Sequence, residues 1–226
     1  MSSVDRQLRR QGLSRSATGT QPRAHRGLGI AGFVCVLAGL ALILWTAAEL
    51  GLGLWQERQL DNSWHRQLVA NPPPAVPVDP DPHIKLGPVD GVDFAIRVPR
   101  IDYYHAVQEG IDSNTLLSGP GHYPEMAWPG QPGNVGVAAH NTYWIRFGDL
   151  ARGDEVDLET RYGTYKYRVT GSRIVNPDDR TVLVQTPDRR LTLTTCWPLY
   201  AGAFAQQRYV ITAEQFYPTP REQRLS

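Results

Sequence analysis

Between Leu28 and Ala48 the chain runs for 21 residues without a single charge. As a helix at about 1.5 Å per residue this run reaches roughly 31 Å, close to the ~30 Å hydrocarbon core of a bilayer. A cleaved signal peptide has an apolar core of only about 7–15 residues. The run is therefore expected to be a retained transmembrane helix over residues 27–55, with Glu49, Trp55 and Trp64 following as interfacial residues. Arg6, Arg9, Arg10, Arg15, Arg23 and Arg26 precede it, opposed only by Asp5. By the positive-inside rule the N-terminus is cytoplasmic and the remainder is exported. Residues 1–26, rich in Arg, Ser, Gln and Gly and without hydrophobic periodicity, read as a disordered cytoplasmic tail.

With those arginines, Asp5 and Glu49 set aside, 17 of the 23 basic and 20 of the 22 acidic residues remain, a net charge near −3 on the exported part. No basic stripe with interleaved aromatics occurs there, so nucleic acid is not an expected partner. Residues 56–88 read as a Pro-rich linker: Trp55 to Ala70 suits a short polar helix, and Asn71 to Pro82 holds six prolines in twelve residues, which stiffens and extends it.

Residues 89–226 have the texture of a separate domain. Short alternating or β-branched runs at Phe94–Pro99, Ala106–Gln108, Val135–His140, Glu155–Thr160, Thr164–Ser172, Thr181–Gln185, Leu191–Cys196 and Gln207–Thr212 are separated by turn signals. Eight short strands predict a mainly β fold, a barrel or a sandwich. Asp112–Ser118 and Thr142–Leu150 are expected as helical interruptions, and Gly119–Gly133 as a loop.

The chemistry centres on Cys196. The other cysteine, Cys35, lies in the apolar run, so the exported part holds one thiol and no disulfide partner for it. Alternation places Leu191, Leu193 and Thr195 on one face of their strand, and Thr192, Thr194 and Cys196 on the other. Cys196 thus sits at the strand's end, either as a small buried hydrophobe or as an exposed nucleophile. His140 closes the apolar strand Val135-Gly-Val-Ala-Ala in the same way, whereas His105 and His122 read as surface or turn residues. A thiol nucleophile requires thiolate character, which a nearby imidazolium or guanidinium stabilises. Attack on an amide carbonyl also needs a donor for the oxyanion. Arg208, the one arginine between Cys196 and Arg221, is the candidate. No His-x-x-x-His or Cys-x-x-Cys spacing exists in the exported part, so no metal site and no cofactor are expected.

Together these residues resemble the sortase family of membrane-anchored cysteine transpeptidases. The resemblance is carried by Gly119-Pro-Gly-His-Tyr-Pro124, by Gly130-Gln-Pro-Gly-Asn-Val135 leading into Ala138-Ala-His140, by Leu191-Thr-Leu-Thr-Thr-Cys-Trp-Pro198, and by Arg208-Tyr-Val-Ile. It covers Phe94 to about Ala213 and looks most like class E or class D. It implies an eight-stranded sortase β-barrel with Cys196 as nucleophile, His140 as general acid/base and Arg208 as oxyanion or substrate-aligning donor. Thr195 and Trp197 would contact substrate. The family cleaves a Leu-Pro-x-Thr-Gly-like signal between Thr and Gly and transfers the Thr to an amine of a cell-wall precursor or a pilin. Pilin-building members carry an Asp-Pro-aromatic lid, which Asp81-Pro82-His83 echoes.

Two alternatives accompany this reading. An exported cysteine protease is one, although papain-like enzymes place cysteine before histidine and the caspase Gln-Ala-Cys-x-Gly signature is absent. A non-catalytic, membrane-tethered β-module is the other.

Overall fold

The computed structural model describes residues 24–81 and 86–219. Contacts divide the chain into two units, 1–48 and 49–226. The described part of the first unit is wholly helical and belongs to α1 (Ala24–Ala70). Its large apolar side chains, among them Phe33, Leu40 and Trp45, are exposed. Among the described residues α1 is the one helix long and apolar enough to cross a membrane. Residues 1–23 and 82–85 lie outside the described residues, which removes most of the expected tail and all but Asp81 of the Asp81-Pro82-His83 echo.

The second unit is a closed eight-stranded barrel in the order β1-β2-β3-β4-β7-β8-β6-β5. Its strands are β1 (Phe94–Val98), β2 (Tyr103–Glu109), β3 (Gly121–His122), β4 (Gly133–Ala138), β5 (Glu155–Thr160), β6 (Gly163–Val175), β7 (Arg189–Trp197) and β8 (Gln207–Tyr217). β2 with β3 and β4 with β7 pair in parallel; every other neighbour is antiparallel. Closure leaves the sheet no free edge. Alternation fills the interior: Phe94, Ile96 and Val98 of β1 point inward, as do Val135, Val137, Leu191, Leu193 and Ile211.

Two expected elements differ. The run Thr181–Gln185 is not a strand, because Arg180–Leu183 forms a 3₁₀ turn instead. The Asp179 carboxylate accepts the Thr181 N–H at 3.0 Å, and this local bond draws the segment away from any ladder. The eighth strand is β3, within the stretch expected as loop. Two residues are too few to show a period, and it exists only because β2 and β4 flank it.

Described residues before and within the proline-rich run of the segment expected as linker are docked on the barrel. α1 continues to Ala70, and its residues Leu60, Trp64 and Leu68 pack outside the wall against Val92, Ala95 and Ala106. The alanines of β1 and β2 leave room for the Trp64 ring, which is fully buried and lies under the Arg161 guanidinium at 5.6 Å. Asp61 accepts the Ala106 N–H at 2.7 Å, satisfying a β2 donor beyond the reach of the short β3. Further on, the Val78 N–H donates to the Tyr162 carbonyl at 3.0 Å, and Asp79 pairs with Arg189 at 2.8 Å.

Two histidines read as ordinary surface or turn residues are neither. His105 stands on β2 with Nδ1 3.0 Å from Asp61 and 3.1 Å from Glu57. Burial disfavours its charge, but the Asp61 hydrogen bond and the two carboxylates outweigh this and raise its pKa. His122 is buried in β3, with Nδ1 3.0 Å from Asp93 and Nε2 3.1 Å from the Ala127 carbonyl.

Candidate active site

The parallel pairing of β4 with β7 does the first positioning step. Ala138 lies opposite Thr194, so the residues two places on, His140 and Cys196, continue along adjacent lines of chain. The Ala139 N–H bonds to the Thr194 carbonyl at 3.2 Å, and Thr195 Oγ1 donates to the Ala139 carbonyl at 2.8 Å, which prolongs the pairing past the end of β4. His140 therefore does not close the strand as expected. β4 stops at Ala138, and the His140 carbonyl starts a turn by accepting the Tyr143 and Trp144 N–H groups. On the other side of β7, antiparallel register puts Arg208 opposite Cys196.

Cys196, His140, Arg208 and Thr195 line one cavity of about 220 Å³. Ile111 and Leu116 form its apolar side, from the β2–β3 loop that carries the short helix α2 (Ser113–Leu117). Asp112 caps that helix, accepting the Asn114 and Thr115 N–H groups at 3.0 and 3.2 Å. Tyr123 lines the cavity too, and its hydroxyl is 2.9 Å from Thr194 Oγ1.

Cys196 is a free, half-buried thiol. His140 is half-buried, and burial alone holds its pKa below the ordinary histidine value. No carboxylate contacts the His140 ring among the described residues, so the pair has no third, orienting acid. Arg208 likewise makes no ion pair among the described residues; its Nη1 bonds only the Gln207 carbonyl, at 3.2 Å. Its charge is available to an incoming anionic or carbonyl oxygen.

Trp197 is not part of this lining. Its ring packs against Tyr209 at 5.4 Å and on the barrel core. Thr195 lines the cavity, but its hydroxyl is already committed to Ala139. Sequence reasoning missed Ile111, Leu116 and Tyr123, which reach the cavity from elements distant in sequence. It also missed Asn141, whose buried carboxamide Nδ2 donates to the Pro198 and Gly202 carbonyls, each at 3.2 Å. That residue ties the chain just after His140 to the loop just after Cys196. Its position next to His140 was the available signal. Among the described residues no group of three or more His, Cys, Asp or Glu is placed to hold a metal ion.

This geometry has relatives. The Sortase family model, described as a sortase domain, matches residues 96–216, just over half of the chain. Sortase D of Bacillus subtilis (strain 168) is 32% identical over 118 residues, covering 51% of this chain and 60% of that protein. Among solved structures, a Clostridium perfringens Sortase D5 transpeptidase superposes with a TM-score of 0.52 at 23% identity, covering 74% of this chain and 98% of that one. Sortase E1 of Streptomyces coelicolor, solved with a tripeptide in its active site, gives a TM-score of 0.50 at 26% identity over 55% of this chain and 87% of that one. With strand order, thiol, imidazole and guanidinium gathered at one end of such a barrel, the chain belongs to the sortase family.

Proposed function

We propose that this protein is a membrane-anchored cysteine transpeptidase that cleaves a Leu-Pro-x-Thr-Gly-like sorting signal between Thr and Gly. The carbonyl of the Thr is then joined to an amine of a cell-wall precursor or a pilin. The observation that carries this reading is the single cavity shared by Cys196, His140 and Arg208. The tripeptide held by the Streptomyces coelicolor enzyme supports a peptide as the occupant. The six arginines before the apolar run support a cytoplasmic N-terminus, with the barrel on the outer face of the cell membrane.

In the proposed reaction the lowered pKa of His140 keeps its imidazole neutral at neutral pH, able to take the Cys196 proton. The thiolate attacks the Thr carbonyl carbon, and the Arg208 guanidinium meets the oxygen as it gains charge. The imidazolium then gives its proton to the departing Gly nitrogen, leaving a thioester between Cys196 and Thr. An acceptor amine attacks that carbonyl, His140 takes the amine's proton, and the new amide forms as the thiolate leaves. Ile111 and Leu116 line the apolar side, where they exclude water and favour aminolysis over hydrolysis.

The test uses the full chain in lipid nanodiscs with a sorting-signal peptide, with and without an added amine. The expected result is a covalent intermediate 1:1 with Cys196, diverted to amide product by the amine, and lost in C196A, H140A and R208A. Turnover by C196A at the wild-type rate would refute it, and hydrolysis unaffected by amine would make the protein a protease instead.

A further inference from the structure

We propose that the rim of the catalytic cavity rests in the headgroup–acyl interface of a lipid bilayer, with Tyr200 and Phe204 of the β7–β8 loop as the inserting side chains. This rests on the reading of residues 28–48 as a membrane anchor.

Tyr200 and Phe204 are 82% and 88% exposed, the most exposed large hydrophobics in the described chain. From Trp197 through Gln207 there is no charged residue. A loop that leaves two aromatic rings in water and carries no charge lacks the usual features of a solvated surface. Nor is it a loose tip. Asn141 bonds two of its carbonyls, Leu199 is buried, and Gly202–Phe204 forms a 3₁₀ turn. The two rings are thus presented on an ordered support.

The same end of the barrel carries further exposed apolar residues. Ile145 projects from the β4–β5 loop and Leu117 from α2. These loops are linked, since Tyr143 Oη donates to the Leu117 carbonyl and Asn141 holds the β7–β8 loop. Leu117 in turn abuts Gly53 of α1, where a side chain would come within 2.6 Å of the Leu117 carbonyl oxygen. Gly53 follows the apolar run by five residues, and its neighbours Leu50, Leu52, Leu54 and Trp55 are exposed. The rim is therefore joined, contact by contact, to chain that directly succeeds the anchor. Tyr and Trp favour the membrane–water interface because the ring is apolar and its O–H or N–H stays wet. That chemistry, with the neutral Gln206 and Gln207 at the loop's C-terminal end, selects a lipid surface over a charged protein partner.

The test places the photoreactive residue p-benzoyl-L-phenylalanine at one position at a time in the full chain, held in nanodiscs of phosphatidylcholine and phosphatidylglycerol. Adducts are identified by mass. The positions are Phe204, Tyr200, Val184 and Leu40. Val184, also exposed, lies before the start of β7, at the far end of that strand from Cys196. Leu40 lies in the apolar run and reports on the anchor alone. The expected result is lipid adducts at 204, 200 and 40 and none at 184. Adducts at 40 without any at 204 or 200 would overturn the proposal while leaving the anchor reading intact. Absence of adducts at 40 would overturn the anchor reading, and the proposal with it. Equal labelling at 184 and 204, or protein adducts at 204, would also overturn it, the latter in favour of a protein partner.

Discussion

Asn141 is 3% exposed, and its amide nitrogen holds two carbonyls of the segment that follows Cys196, at 3.2 Å each. Replacing it by alanine removes both bonds. Each is worth about 0.5–1.5 kcal/mol net, so the loss is about 1–3 kcal/mol, taken here as ~2 kcal/mol. Because these bonds join two loops and no strand ladder, the loss falls on local opening of the β7–β8 loop more than on global unfolding. At about 1.4 kcal/mol per factor of ten, the closed loop becomes roughly 30-fold less favoured. Rapid-mixing measurement of thioester formation should show kcat/KM falling by roughly 10- to 100-fold in N141A, with Tm lowered by less than the ~4–8 °C that the same loss would cause if all of it fell on global unfolding, at ~2–4 °C per kcal/mol. N141D separates donation from packing. Its ionised carboxylate faces two carbonyl oxygens with no N–H to offer, whereas the protonated acid regains one donor. The ratio of N141D to N141A activity should therefore rise as pH is lowered. Wild-type kcat/KM in both variants would refute the reasoning, since the tie would then not hold the strand end that bears the thiol.

Burial raises the Asp157 pKa to about 6, against the lowering effect of Lys166 and with Glu155 adding to the rise. A carboxyl raised above its unfolded value favours the fold below about pH 4, and that contribution is lost as pH rises through about 6. D157N should therefore raise stability at pH 8 relative to pH 5, by on the order of 1–3 kcal/mol in denaturant titrations; a pH-independent difference would contradict this. For His140 the shift is downward, by burial, so its neutral ring supports the fold above the unfolded value near 6.5, and that support is lost as pH falls through the folded pKa. A proton-coupled NMR titration should find its midpoint below 6.5, and H140Q should flatten the fall in stability between pH 7 and 5. Trp64 is wholly buried between α1 and the barrel wall, so W64A should cost about 3–5 kcal/mol by chemical denaturation of the full chain. A loss below ~1 kcal/mol would mean that the helix contributes little to the catalytic unit.

Local pattern made several elements legible. β5 appears over the residues its alternation indicates, Glu155–Thr160, and α2 starts after its Asp112 cap, because both signals depend on neighbours within a few residues. The same local rule misled at Thr181–Gln185, where β-branched residues suggest a strand but the Asp179 side chain captures the backbone first. His105 and His122 carried no sequence sign of their carboxylates, because Asp61 and Asp93 come from α1 and from the chain before β1.

The uncharged run that makes α1 apolar, the strand texture of the barrel, and the isolation of Cys196 as a thiol without a disulfide partner are all legible in the residue order alone. These follow from composition and short-range periodicity, which each segment carries alone. Folding in three dimensions was needed to bring His140, Cys196 and Arg208 to one cavity, to create β3, to pack Trp197 on the barrel core while Ile111, Leu116 and Tyr123 line the cavity, and to dock the helix after the apolar run on the barrel. Each of those depends on which strands become neighbours and in what register, a long-range choice made by closing the sheet around one core.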